Sequence, residues 1–434
     1  MPQFLAKKNL LIFIFCFFLI PAFTQAQGQK IFTFEDCVQE VSLYNPDLAV
    51  AEESVKKAVL AYNGSYIDFV PKFSGMATYG ASDSDISSSS ALDASSHGGV
   101  QHQVSVGPSV QQNLFSGFKS LASIEKSRAD LEAAQANLAL VKTQVSFNLK
   151  TAFYRLLFAQ EELKLTESIV PRREQNLKLV NLRYEVGREN KGSYLRTEAQ
   201  TKQAEFEVLQ ARQNLKVARA ALLQVLGSKD TEDFLVKGNF KTTLPSKIND
   251  FEALAKTTPS FLQSKAQVDS AKSSTKIAKS GLYPSLDATA SFSRVRNDTS
   301  EAVSRWAAGV NLSYPFFSGG KTYFDVKGAE AEHRRSVYAL QSVQNGLIYN
   351  LQKTYSDFVN AIQSSEVQKK FLESSLMRAE IARSQYANGL VSFQDWDLIE
   401  SDLINTQKST LSSLNDAVLA EAAWEQAQGK GVIP

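Results

Sequence analysis

Residues 314–322 read YPFFSGGKT. Gly320-Lys321-Thr322 has the ending of a phosphate-binding loop, in which backbone N–H groups wrap the phosphates. Such a loop needs a glycine five positions before the final Gly-Lys pair. That place is held by Pro315, which has no N–H and a fixed φ. Residues 112–120, QNLFSGFKS, repeat Phe-Ser-Gly-x-Lys without the paired glycine. A motif that recurs and loses the spacing its chemistry requires reads as a corner between two elements. At each corner the last strand of a unit turns into a long helix. Ser116 and Ser318 are candidate N-caps or pre-caps, and Gly117 and Gly319 supply backbone freedom.

The corners belong to an internal repeat. Asn45-Pro46 answers Thr258-Pro259, and Pro71 answers Pro284, both 213 positions apart. LFSGFK answers FFSGGK, and RYEVGR (183–188) answers QYANGL (385–390), both 202 apart. The surplus in the first unit falls in a Ser/Asp/Gly stretch, 82–99, that reads as an exposed loop. The first unit is expected to span 42–226, with a helix 42–70, strands 72–82 and 103–113, a long helix 120–180, a tip 183–193 and a helix 194–226. The second spans 251–427, with a helix 251–281, strands 285–295 and 305–315, a long helix 321–386, a tip 387–392 and a helix 393–427. An N-terminal extension (27–41), an equatorial linker (227–250) and a C-terminal tail (428–434) complete the chain.

Seven-residue apolar spacing runs through the long helices. Ile124, Leu131, Leu138 and Val145 form one line, and Leu149, Leu156, Leu163, Val170 and Leu177 another after a four-residue step. Leu351, Phe358, Leu372, Ala379 and Tyr386 repeat it, with Ser365 the odd member. Sustained heptads mean coiled-coil packing, and the four-residue step is a stutter. Pro171 argues against continuity, since proline in a helix interior kinks or breaks it. The first long helix would be about 90 Å long at 1.5 Å per residue. In each unit the two shorter helices together match the long one in length, as a cylinder wall of uniform height requires.

The strands alternate. Phe73, Gly75, Ala77 and Tyr79 share a face, as do Val104, Val106, Pro108 and Val110. So do Leu286, Ala288, Ala290 and Phe292, and Trp306, Ala308, Val310, Leu312 and Tyr314. Their lengths suit tilted membrane-crossing strands, and aromatics near their ends suit an interface girdle. Four strands cannot close, and an open edge in lipid leaves backbone groups unpaired. Chains must then share one barrel, with 8 strands from a dimer or 12 from a trimer.

Lys7 and Lys8, an apolar run from residue 10 to Ile20, and Thr24-Gln25-Ala26 form a secretory signal, residues 1–26, with cleavage expected after Ala26. Phe15 before Cys16 argues against lipid attachment there, and Cys37 is then the only mature thiol, so no intrachain disulfide forms. The net charge of +2 points to no nucleic-acid partner. The three histidines, His97, His102 and His333, build no metal-ligand spacing with cysteine or carboxylate, and no nucleophile motif appears. No enzyme, cofactor or metal role is expected. A soluble periplasmic coiled-coil scaffold would explain the heptads but not the strands.

Taken together, the signal, the doubled strand-pair and helix-pair unit, the two corners and the tips RYEVGRENKGSYLRTEAQ and QYANGLVSFQDWDLIES resemble the TolC-type outer-membrane efflux family. The resemblance covers essentially the whole mature chain. It implies a mostly α fold with a small membrane β-barrel part: a homotrimer whose 12-stranded barrel in outer-membrane lipid sits atop an α-helical barrel crossing the periplasm. It further implies a periplasmic adaptor (membrane fusion) protein and an inner-membrane pump of RND or ABC type. By the family pattern an acidic ring narrows the second tip. Asp395 falls on one ring position, Leu398 on the next, and Asp397 lies adjacent. Asp395 and Asp397 equally suit a helix N-terminus as such. An arginine that locks some members is replaced by Val391, so the gate should be weaker or differently wired. In the first tip the matching position is Ser193, so only the second unit would gate. Tyr184 with Gly187 and Tyr386 with Gly389 are the candidate adaptor contacts.

Overall fold

The computed structural model describes residues 30–83, 100–227, 233–246, 250–298 and 300–433. The signal segment and most of the polar loop, with His97, lie outside them. The elements are β1 (Lys30–Phe32), α1 (Phe34–Tyr44), α2 (Pro46–Gly64), a 3₁₀ turn (Ser65–Phe69), β2 (Lys72–Ser82), β3 (Gln101–Phe115), α3 (Lys119–Glu185) and α4 (Lys191–Leu226). Then come β4 (Phe234–Val236), α5 (Phe251–Thr257), α6 (Pro259–Ser280), β5 (Ser285–Asn297), β6 (Ser300–Ser313), α7 (Lys321–Ala387) and α8 (Phe393–Ala427).

The expected single helices 42–70 and 251–281 are each broken at the X-Pro step. Proline forces the preceding residue out of the α region, and Asn45 (ψ 121°) and Thr258 (ψ 145°) are extended. Each then caps the helix that starts at its proline. Asn45 Oδ1 accepts from the N–H of Asp47 and Leu48, and Thr258 Oγ1 from that of Phe261. Proline at the first helical position loses no hydrogen bond.

The expected extension 27–41 therefore holds β1 and most of α1, started by a Thr33–Asp36 capping box. β1 pairs in parallel with β4 of the linker. Together they cover the middle of α3, where Phe32, Cys37, Val41, Leu149, Phe153, Leu156, Leu222, Leu226 and Phe234 form the largest apolar cluster. The C-terminal tail closes it: Ile433 is buried there, and the N–H groups of Val432 and Ile433 donate to Ser146 Oγ.

Burial pushes the Cys37 thiol up to about 12, and the carboxylates of Asp36, Glu40 and Glu35 add to it. Native protein should stay unmodified by iodoacetamide at neutral pH, whereas unfolded chain is labelled at once. Below the free-thiol value of 9.0 this group leaves stability undiminished. As pH rises from there to about 12 the unfolded state alone ionises, and stability falls. A denaturation series across that range checks the slope, and rapid labelling of native protein would refute the burial.

α3 runs unbroken through Pro171. Ile169 beside it packs on Ala204 of α4 and Ile404 of α8, and tertiary packing outweighs the lost backbone bond. The first apolar line is displaced. Ala122, Ala129 and Ala136 are buried, while Ile124, Leu131 and Leu138 are only half-buried. The small line lets α6 approach closely: Ser270 Oγ donates to Asp130 and Gln263 to Asn137. Leu149 and Leu156 are fully buried as the heptad requires, after which the buried set becomes Thr166, Ile169, Arg173, Asn176 and Val180 at alternating spacings of three and four. In α7, Leu351, Phe358, Ser365, Ala379 and Tyr386 are buried.

The main sheet has the order β2-β3-β5-β6, all antiparallel, so the two units join at β3 and β5. The register pairs Phe73 with Val110, Val110 with Ala290, Ala290 with Ala308, and Tyr79 with Val104. Directly opposed residues share a face. All four apolar sets read from the sequence thus fall on one face of one sheet, save Tyr314, which lies beyond the end of β6. The other face carries Ser74, Thr78, Gln103, Ser105, Ser109, Thr289, Ser291 and Asn311. Mid-strand Gly107 is required: a Cβ there would stand 1.8 Å from the Phe292 carbonyl oxygen. β6 ends at Ser313 rather than 315 because Pro315 cannot donate to a ladder, and it starts at Ser300 rather than 305. β2 and β6 each keep one unpaired edge.

Candidate functional site

The two tips are built alike. α3 ends at Gly187 (φ 71°), with Gly187 N–H donating to Tyr184 O and Arg188 N–H to Arg183 O. α7 ends at Gly389 (φ 79°), with Gly389 N–H donating to Tyr386 O and Leu390 N–H to Gln385 O. These paired bonds make a Schellman cap, whose left-handed residue is normally glycine. The return helix of the first unit starts at Lys191, ahead of the expected 194, and that of the second at Phe393 as expected. Asn190 caps α4 through Ser193 N–H, and Ser392 caps α8 through Asp395 N–H. The first tip turn is therefore 186–190, narrower than the expected 183–193.

Tyr386, an expected surface contact, is fully buried. Its ring stacks on Trp396 at 4.3 Å, and its hydroxyl donates to Glu189 of the first tip at 3.0 Å. The Arg183 guanidinium lies 4.5 Å over the other side of the ring and donates to Tyr386 O at 2.6 Å. Burial first, then the Glu189 carboxylate, holds the phenol protonated well above its ordinary range. Its heptad position already placed Tyr386 on the buried seam, which decides against surface contact. Tyr184 is partly exposed and stacks on Tyr194. Among the described residues, no atom lies within 4 Å of where a Cβ on Gly187 or Gly389 would project.

The two aspartates separate. Asp395 is exposed, and among the described residues its carboxylate accepts only the Ser392 hydroxyl, at 2.7 Å. Asp397 is buried, paired with Arg196 at 2.8 Å and accepting from Gln200 at 2.9 Å. One turn further in, Glu400 is fully buried, accepting a bidentate pair from Arg172 (2.7 and 2.9 Å) and a bond from Asn176 (3.2 Å). Arg173 beside it donates to Gln200 and Ser401. Burial lowers the Arg173 pKa, and Asp397 and Glu400 oppose that effect. The contacts of Asp397 and Glu400, and that of Arg173 to Ser401, join α3–α4 to α7–α8. Sequence reading overlooked Glu400, Arg172 and Arg183. For Glu400 and Arg183 the signal was a charge on a heptad line that is otherwise buried, Phe393–Glu400 and Ile169–Asn176–Arg183; Arg172 lies beside such a line.

At the corners the serines are pre-caps rather than N-caps. Ser116 Oγ accepts from Ser120 N–H (3.1 Å) and Ser318 Oγ from Thr322 N–H (3.5 Å), while the cap positions are Phe118 and Gly320. Gly117 has φ 65° and Gly319 φ 63°. Phe118 takes the left-handed conformation (φ 68°) that Gly320 takes in the second unit, held edge-on between Phe115 and Tyr283. Lys321 pairs with Asp325 on the next helical turn, as a structural corner lysine does.

A family model described as Outer membrane efflux protein matches residues 37–228 and 252–430. The chain is 21% identical over 331 residues to Outer membrane efflux protein BepC of Brucella suis biovar 1, a match covering 75% of this chain and 72% of that one. It is 21% identical over 375 residues to Probable outer membrane lipoprotein SilC of Salmonella typhimurium, covering 85% and 79%. The solved outer-membrane channel OprN superposes with a TM-score of 0.82 at 18% identity, covering 92% of this chain and 91% of that one.

Proposed function

This chain belongs to the outer membrane efflux protein family, and on that premise we propose that it is the exit duct of a tripartite efflux or type I secretion system. It is a passive conduit in the outer membrane, not an enzyme, with a long periplasmic extension. The observation that carries this reading is the sheet: apolar on one face, polar on the other, open at both edges, and set on two helical hairpins whose long members each have 67 residues. A scaffold protein in water has no use for an exposed row of Phe73, Tyr79, Trp306, Val310 and Leu312.

The finer assembly is a homotrimer. Three chains close 12 strands, and closure satisfies the free edges of β2 and β6. Exposed apolar residues on both flanks support a head-to-tail ring: Phe206, Leu209 and Val217 on α4, and Tyr338, Tyr349 and Phe371 on α7. A periplasmic adaptor docks at the tips through Tyr184 and the turns at Gly187 and Gly389, and an RND or ABC-type pump supplies the cargo. Opening separates the α7–α8 end from α3–α4, breaking Arg183–Tyr386, Tyr386–Glu189, Arg196–Asp397 and Arg172–Glu400. Asp395, the exposed carboxylate, lines the narrow entrance, while Asp397 serves as a latch.

Purified protein in planar bilayers tests this. Discrete conductance steps with divalent-cation block are expected, and Asp395→Ala should abolish the block or raise conductance. Unchanged block sinks the ring assignment. Release of the mature chain as a soluble monomer on osmotic shock sinks the channel.

A further inference from the structure

The alternation on β5 does not stop at the apolar band. After Leu286, Ala288, Ala290 and Phe292, the next two residues on the same face are Arg294 and Arg296. The register fixes their side: Arg294 pairs with Val106 and Arg296 with Val104, both members of the apolar face. They lie beyond the paired aromatics Phe292 and Trp306, toward the strand ends remote from the helices. Two residues along a strand tilted about 40° rise about 5 Å along the membrane normal, so the guanidiniums stand about 5 and 10 Å outside the aromatic row. That is headgroup depth, where a lipid-facing arginine is tolerated.

Both side chains are exposed, and among the described residues neither makes an ion pair or side-chain hydrogen bond. The nearby acidic residues are Asp83, Asp298 and Glu301, and Asp298 is engaged by the His102 N–H at 3.0 Å. The register shift between Val295 and Asn297 sets Arg296 against two residues of β6, Glu301 and Ala302, so the extra residue of this bulge lies on β6. Such a bulge bends β6 and increases its local twist at the height of Arg296. Two rigid forks on one face, about 7 Å apart along the strand, can converge on one anionic headgroup while Val104, Val106 and Phe292 meet its acyl chains. Guanidinium matches phosphate oxygens bidentately.

We infer that Arg294 and Arg296 bind the phosphate groups of an anionic glycolipid in the outer leaflet of the membrane. The inference rests on the channel reading, which puts the helices in the periplasm and these strand ends outside.

The test is native mass spectrometry of detergent-purified full-length protein incubated with diphosphoryl lipid A or with its phosphatase-treated form. Wild type should retain the phosphorylated lipid at least about tenfold better, a difference of about 1.4 kcal/mol. Arg294→Gln/Arg296→Gln should lose that preference, Arg294→Lys/Arg296→Lys should keep part of it, and Arg305→Gln on the opposite face should keep all. Equal retention of the two lipid forms by wild type overturns the proposal without reference to any variant. So does complete displacement by millimolar inorganic phosphate, which would make the site one for the free ion. If conductance in bilayers persists through such a failure, only this inference falls; if the protein neither conducts nor needs detergent, the channel reading falls instead.

Discussion

Arg172→Met should loosen the periplasmic tip by about 3–5 kcal/mol, because it strands a charge in a site that excludes water. Glu400 is fully buried and takes two of its three hydrogen bonds from Arg172, with only Asn176 left to serve it. The effect belongs to the pair rather than to either residue. Arg172→Met/Glu400→Leu should recover most of the loss, since replacing both partners of a buried ion pair with apolar groups of similar size is often neutral. Hydrogen exchange of the α3, α4 and α8 segments around Glu400 reads the local opening free energy. Equal protection in wild type and Arg172→Met would show that water reaches Glu400 and that the latch carries no weight.

Tyr386→Ala removes a fully buried ring from between Trp396 and Arg183, and by analogy with other large-to-small core changes should cost about 3–5 kcal/mol at the tip. Tyr386→Phe separates packing from wiring. It keeps the stack and deletes only the hydroxyl bond to Glu189, a charge-assisted bond between the two units worth about 1.5–3 kcal/mol. If closure depends on that cross-link, Tyr386→Phe should raise the open fraction in planar bilayers by about tenfold or more with the tip's exchange protection largely kept. A Phe variant that conducts like wild type would assign Tyr386 to packing alone.

The duplicated unit, the two corners and the strand faces were legible in the sequence. Each is set by local covalent chemistry or by a period: proline without an N–H, glycine with positive φ, alternation of two, heptads of seven. The same local rules at Asn45-Pro46 and Thr258-Pro259 were sufficient to place the helix breaks, but were read as markers of repetition rather than as boundaries.

What only the tertiary structure decided is which partner each polar group meets. Asp395 and Asp397 are two positions apart and chemically identical. One is exposed and the other buried, because a step of two in a helix turns a side chain to the opposite face, and Arg196 and Gln200 approach from a different helix. Arg183 and Tyr386 are 203 positions apart and meet because the two hairpins end at the same height. The seam through Ala122, Ala129 and Ala136 displaced the larger Ile124 line because α6 packs closely on α3, and closeness favours the smallest side chain. Local sequence determined the elements and their faces; the packing of one hairpin against the other determined the contacts at the tips, since those bonds join segments far apart in the chain.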